Sequence, residues 1–293
     1  MTIFPHPIIV HPFSLGLGPL QLTGFGIGMF MCFVMGQYVA QRLMVRRGLD
    51  PSPVADMIFA AVIGGLLGAK LYYVVILGNW HSLFDRAGFV YWGGFVGGGA
   101  AVTAVVLRKR LGFMRIADIA APACAAAYAV GRTGCWAIGD DYGRPWRGVL
   151  AVAFPDGAPP STAGEMAREF GIAIPVGAGP TTLLSVVPTQ LLEVALGLGM
   201  FAILWRLKDH RHAEGWLFGV YLVLAGLERF IVEFFRAKDD RMLAGLTYAQ
   251  GIAIAIVIVG LIWMRARATV GNGRAGIRRA AATATTDVLR TAY

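Results

Sequence analysis

The stretch IADIAAPACAAAYAVGRTGCWAI, residues 116–138, decides how the chain is read. It is long enough to cross the roughly 30 Å hydrocarbon core of a bilayer as one helix. Yet it carries Arg132, and an ionised side chain at mid-membrane costs about 2.5–3.5 kcal/mol on insertion scales. Such a residue needs a partner or a polar cavity. The stretch therefore predicts a membrane span and a buried polar site together.

The totals agree with the span. The 293 residues are 57% apolar and 15% charged, with a mean hydropathy of +0.63. Soluble domains carry roughly a quarter charged residues. Seven stretches have the length and apolarity of spans: 22–41, 54–77, 88–107, 116–138, 183–205, 215–235 and 244–264. The expected fold is an all-α integral membrane protein with seven transmembrane helices and a Pro/Gly-rich external head, 139–182, between helices four and five. Residues 1–267 would form the membrane domain. Residues 268–293 would form a basic, disordered cytoplasmic tail against anionic headgroups. No Lys or Arg precedes Arg42, so the first stretch is expected to stay as a span rather than leave as a signal peptide.

The net charge of +9 does not point to nucleic acid, because the Lys and Arg residues gather at the ends of the apolar stretches. One set of alternate connections, with the C-terminal tail, holds sixteen, and the other holds seven. Lys/Arg excess marks cytoplasmic loops, which puts the N-terminus outside and the C-terminus in the cytoplasm. Cys32, Cys124 and Cys135 all fall in predicted spans, an odd number that argues against a disulfide framework. Neither a metal nor another cofactor is expected from their spacing.

Glycines recur four apart, at Gly24 and Gly28, Gly64 and Gly68, Gly93 and Gly97, spacing that lets helix backbones approach in lipid. WGGFVGGG, from Trp92, is dense enough in glycine to predict irregular backbone. Within the head, GVLAVAFP reads as a short strand. STAGEMAREFG reads as a short amphipathic helix capped by Ser161 or Thr162.

The remaining intramembrane charges are Lys70, Glu193, Glu228, Arg229 and Glu233, with Asp56 and Asp118 nearer span ends. In GLERFIVEFFR, Arg229, Glu233 and Arg236 fall at i, i+4 and i+7, one stripe of a helix, with Glu233 able to bridge both arginines. The stripe is either an ion-pair network pinning helices or an anion site. Arg132 and Arg229 are expected at similar depth, and two guanidinium forks at one level suit a phosphate. PTQLLE puts Pro188, Gln190 and Glu193 inside a span, where the amide and carboxylate could meet those arginines. Lys70 is read as structural or electrostatic.

In this combination the chain resembles the prolipoprotein diacylglyceryl transferases of bacterial inner membranes. FSLGLGPLQLTGFGIG, GGLLGAKLYYVV, YWGGFVGG, GRTGCWAIGDDYGRPW, PTQLLE and GLERFIVEFFRAKDD occur in the family's order, to about residue 264. The resemblance implies transfer of diacylglyceryl from phosphatidylglycerol to the lipobox cysteine of an exported prolipoprotein, forming a thioether and releasing glycerol phosphate. It implies Arg132, Arg229 and Glu233 as catalytic residues, and Arg132, Arg229, Gly143, Gln190, Glu193 and Asp140 at the substrate. Membrane phospholipid and the prolipoprotein signal peptide would be the partners.

The departures from the family pattern lie on the thiol side. Trp92 stands where the family has a histidine, Cys135 where it has the signature asparagine, and Thr23 where it has a tyrosine. Asp140 replaces a glutamate and Ile138 a second asparagine. Loss of a base could cost 10²–10⁴-fold; His81 is a candidate substitute. The rival readings are a catalytically impaired paralogue that binds phospholipid or lipoprotein, a phosphatidylglycerol-using transferase with another acceptor, and a transporter.

Overall fold

The computed structural model describes residues 7–17, 20–84, 90–237 and 245–268. The predicted tail beyond residue 268 lies outside the described residues. Among them, seven helices have 18 residues or more: α1 Gly24–Arg46, α2 Pro53–Leu77, α3 Tyr91–Arg108, α4 Phe113–Ile138, α6 Thr189–Leu207, α7 Trp216–Glu233 and α8 Tyr248–Ala266. Each overlaps one apolar stretch of the sequence. Four of them, α2, α4, α6 and α8, are long and apolar enough to cross a membrane by length and composition. A short helix, α5 Ala163–Phe170, a 3-10 turn, Trp80–Phe84, and four short strands complete the described elements: β1 Ile8–Ile9, β2 Ser14–Leu17, β3 Leu20–Thr23 and β4 Val152–Ala153.

The ends of these helices follow from local sequence. Pro53 opens α2, where its missing N–H is no loss, and Gly78 closes it in the left-handed region at φ 62°. Thr162 caps α5, accepting from the Glu165 amide. Thr247 and Gln250 form a reciprocal capping box at the start of α8. Pro188 is the N-cap of α6 rather than a kink within it. Proline ends the preceding extended segment and presets the entry, so the helix begins after it.

The contacts divide the chain into two units. One comprises Met1–Gly36, Ala121–His210 and Trp216–Ala268. Its apolar core joins Ala121 and Ala125 of α4 to Met200 and Leu204 of α6 and Leu217 and Val220 of α7. Helices α1 and α4 come together at Gly28 and Gly134; a Cβ on Gly28 would collide with the Gly134 backbone. A second core joins Tyr142, Val152, Phe154, Met166 and Val186 of the segment after α4 to Ala237 beyond α7. Tyr142 stacks on Phe154 at 5.6 Å between ring centroids and donates to the Pro159 carbonyl at 3.0 Å. Strand β1 pairs in parallel with β4, and β2 pairs antiparallel with β3.

The other unit includes Gln37–Ala120 and Arg211–Gly215. Here α2 and α3 lie backbone against backbone at Gly64 and Gly68 on one side and Gly93 and Gly97 on the other. This corrects the expectation of irregular backbone: α3 is continuous from Tyr91 to Arg108. The glycines lose helix propensity, but close packing on α2 compensates. Asp118 accepts from the Gly215 amide at 2.8 Å, and Arg115 pairs with Glu214 at 2.7 Å. Lys70 is buried, with Nζ 5.5 Å from the Tyr73 ring centre, in keeping with a structural reading.

Candidate active site

The end of α4 and the start of α6 build the centre of the site. Arg132, on the next-to-last turn and a half of α4, is only 18% exposed and holds two carboxylates. Its Nη1 lies 2.8 Å from Asp141 Oδ2 and its Nη2 2.9 Å from Glu193 Oε1. Glu193, on α6, is 1% exposed, so Arg132 supplies the charge that makes its burial tolerable. One turn back on α4, Tyr128 offers its ring to Arg132 at 5.4 Å, a cation–π contact. The Tyr128 hydroxyl donates to Glu228 Oε1 at 2.7 Å, which ties α4 to α7.

The loop after α4 is fastened to the start of α6. Thr189 Oγ1 donates to the Asp141 carbonyl at 2.6 Å, and the Gln190 amide donates to the Asp140 carbonyl. Asp141 takes a positive φ of 54°, an unusual backbone for a residue with a side chain that is kept here by its contacts. Gly143 bridges antiparallel to Arg236, and a Cβ there would collide with the Phe235 carbonyl and crowd Thr189 and Val187. Close backbone crossing is therefore a sufficient reason for glycine at 143.

Arg236 departs from the helical stripe expected for it. Helix α7 ends at Glu233, and the chain turns, so Arg236 no longer shares a face with Arg229 and Glu233. Its Nη2 reaches Asp141 Oδ1 at 2.7 Å instead. Arg144 Nε donates to the Arg236 carbonyl at 2.9 Å, holding the turn. Glu233, 1% exposed, lies 2.6 Å from Arg229 and, among the described residues, does not bridge two arginines. The link between Arg132 and Arg229 runs through Tyr128 and Glu228, the residue preceding Arg229.

The carboxyls of the loop differ sharply. Burial, then the negative charge of Asp141, pushes Asp140 up to about 6, against the pull of Cys135, Arg132 and Arg236. Burial also acts against Asp141, but the Arg236 and Arg132 guanidinium groups outweigh it and hold that carboxyl below its ordinary range. Cys135 Sγ lies 3.5 Å from Arg132 Nη1 and within 4.8 Å of a carboxylate oxygen of both Asp140 and Asp141.

Of the residues singled out in the sequence, Arg132, Cys135, Asp140, Gln190, Glu193 and Arg236 join one polar network, and Gly143 lies in its backbone. Arg229 and Glu233 form the adjoining pair. Thr23 sits at the end of β3, where its hydroxyl accepts from the Gly26 amide at 3.2 Å and caps α1. Trp92 lies in the first turn of α3 in the other unit, half exposed and edge-on to Phe95 at 6.4 Å. His81 lies in that unit too, in a short 3-10 turn, Trp80–Phe84. Sequence reasoning missed Asp141, Tyr128 and Arg144. The signals were present: Tyr128 is four residues before Arg132 on one helix face, and GDDYGR follows the span with a second acid.

Comparison with known proteins adds the context. The family model described as prolipoprotein diacylglyceryl transferase matches residues 12–266. A phosphatidylglycerol–prolipoprotein diacylglyceryl transferase of Paraburkholderia phymatum is 30% identical, over 96% of this chain and 99% of its own length. Proteins of the same name from Geobacter sulfurreducens and Bordetella bronchiseptica are each 30% identical, over 88% and 86% of this chain.

Proposed function

We propose that this chain, which belongs to the prolipoprotein diacylglyceryl transferase family, transfers diacylglyceryl from phosphatidylglycerol to the lipobox cysteine of a prolipoprotein in a bacterial inner membrane. The seven long helices cross that membrane, with the N-terminus outside, the 139–182 segment as an external head, and the C-terminus in the cytoplasm. The observation that carries the reading is the buried arginine–carboxylate network at the α4–α6 junction, in a chain otherwise this apolar.

In the transfer, the acceptor thiol gives up its proton to water, and its sulfur attacks the glyceryl carbon that bears the phosphate. The C–S bond forms as the C–O bond breaks, and glycerol phosphate departs with the bonding pair. Charge grows on the departing phosphate oxygens. Fixed guanidinium groups in a low-dielectric site stabilise that charge with little reorganisation. Arg229 is the better placed to meet the phosphate directly, since its side chain is 34% exposed and, among the described residues, ion-paired with Glu233 alone, whereas Arg132 already holds two carboxylates. Glu233 orients Arg229. Arg132 grips the headgroup side and keeps Glu193, Asp141 and the loop in register. Gln190 and Asp140 complete the substrate-binding wall.

Trp92 favours a second reading. With tryptophan at the family's histidine position, the chain could bind phosphatidylglycerol or prolipoprotein without efficient transfer. Purified protein, phosphatidylglycerol vesicles and a synthetic lipobox peptide separate the two. A peptide mass increase equal to one diacylglyceryl group supports the transferase. Saturable lipid binding with unmodified peptide at every time point supports the impaired paralogue and overturns the first reading.

A further inference from the structure

A polar cavity of about 220 Å³ opens against Glu233, lined by Arg144, Glu233, Phe234, Gly245, Thr247 and Gln250. All six residues belong to the unit that holds α4, α6 and α7. The cavity is smaller than the roughly 300–1,000 Å³ of a small-molecule site, so it takes one group of a larger ligand rather than a whole lipid. Arg132, Asp140, Gln190 and Glu193, assigned above to the headgroup, do not line it.

The lining fixes what that group must offer. The Glu233 side chain is buried, and its Oε2 receives no hydrogen bond among the described residues. Arg229 Nη2 comes to 2.6 Å, but off the angle that a hydrogen bond needs. Buried acceptors are nearly always met, so this one calls for a donor. Gln250, in the first turn of α8, calls for the opposite. Its Oε1 accepts from the Thr247 amide at 3.0 Å in the capping box, which leaves its amide nitrogen, a donor, for the cavity. Arg144 spends Nε on the Arg236 carbonyl and has two further nitrogens in its fork. A phosphate would face Glu233 with no donor to give it. An ammonium would face Arg144. A neutral group with one donor and one acceptor suits both walls.

We propose that this cavity takes a main-chain amide of the acceptor polypeptide, its N–H donating to Glu233 and its carbonyl accepting from Gln250 and Arg144. The proposal rests on the transferase reading for the nature of the acceptor, and deepens it by giving the peptide a subsite of its own. Position favours a peptide amide over a lipid hydroxyl, which offers the same donor and acceptor. Arg229 meets the phosphate, and Glu233 is paired with Arg229. The attacking sulfur must reach the carbon next to that phosphate, so the chain that carries it passes close to Glu233. Glu233 then touches both halves of the reaction, steadying the guanidinium on the lipid and the amide on the peptide.

The test uses the full-length protein, phosphatidylglycerol vesicles and a lipobox peptide in which either amide flanking the cysteine is replaced by an ester. The ester keeps the shape, loses the N–H and weakens the carbonyl as an acceptor. At least one ester peptide shows a KM raised at least about tenfold over the amide peptide, the scale of leaving a buried charged acceptor unpaired. Gln250→Glu keeps the capping box, where glutamate is a usual residue, and turns the cavity's donor into an acceptor. It raises KM for the amide peptide at least about tenfold and leaves KM for phosphatidylglycerol unchanged. Ester and amide peptides used alike by the wild type overturn the proposal. So does a Gln250→Glu protein whose peptide KM stays put, or whose KM moves for phosphatidylglycerol instead, the mark of a lipid hydroxyl in the cavity. Equilibrium binding of the same peptides with serine in place of cysteine separates this from the transferase reading. Weaker binding of an ester peptide, with no thioether ever formed from the cysteine peptide, leaves the subsite standing and removes transfer; thioether formed equally from amide and ester peptides does the reverse.

Discussion

Arg132 and Arg236 close on one carboxylate: each takes a different oxygen of Asp141, at 2.8 and 2.7 Å. One arginine comes from α4 and the other from the turn after α7. Asp141 is therefore the clasp that holds the loop after α4 to both.

Asp141→Asn is expected to cost about 1–3 kcal/mol at pH 7, since two charge-assisted contacts weaken together. The carboxyl is held below its ordinary range in the folded protein. Its contribution is thus present above the unfolded value of about 3.9 and is lost as pH falls through the lower folded value. Thermal unfolding in detergent at pH 7 and pH 3 checks both parts. The wild type and Asp141→Asn should differ at pH 7 and converge at the acid end.

Asp140 carries the opposite sign. Its carboxyl is raised to about 6, so the folded state holds the proton more tightly than the unfolded state does. Its charged form costs stability, and that cost grows as pH rises from about 4 to about 6. Asp140→Asn should raise the unfolding temperature at pH 8 and change it little at pH 4. A lower unfolding temperature at pH 8 in the variant would refute the assignment.

Two glycines separate close packing from mere composition. Gly28→Ala drives a methyl into the Gly134 backbone and should cost about 1–3 kcal/mol. Gly199, on α6, has nothing within 4 Å of an added Cβ. Gly199→Ala should therefore stabilise by about 1 kcal/mol through helix propensity alone. Matched unfolding curves in one detergent decide between them; two substitutions of equal effect would remove the α1–α4 contact as an explanation.

Trp92→His introduces the residue type that the resemblance to the family implies at this position. If a missing base limits transfer, thioether formation should rise at least about tenfold, within the range that general base catalysis supplies. The increase should fall away below the pKa of an ordinary histidine, near 6.5. A rate unchanged across pH 5–8 would place the limitation elsewhere.

Much of this architecture is legible in the sequence because lipid imposes one strong constraint. A backbone in hydrocarbon must satisfy itself, so long apolar stretches become helices, and each long helix here overlaps a stretch found that way. The site was legible in part for the same reason. Arg132, Glu193, Arg229 and Glu233 are visible because charge is rare in such segments. Spacing along one helix also gave the Arg229–Glu233 pair. It failed for Arg236, because nothing in RFIVEFFR announces that α7 stops at Glu233. Helix ends are where local pattern is weakest. Asp141 was missed because it lies past the end of α4, off any helical spacing from Arg132, and its second partner, Arg236, comes from a distant segment. The glycine run from Trp92 misled for a related reason: propensity disfavours helix there, and packing of α3 on α2 overrides it.

The central claim is that Arg132 and Arg229 serve one phosphatidylglycerol headgroup during transfer. Single-turnover formation of diacylglyceryl peptide, measured by mass for the wild type, Arg132→Ala and Arg229→Ala, tests it most directly. Each variant should be slowed at least about 10²-fold, the usual loss when one preorganised donor is removed from a developing negative charge. Arg229→Ala should do so while still unfolding near the wild-type temperature. Wild-type rates in a correctly folded Arg229→Ala protein would contradict the account.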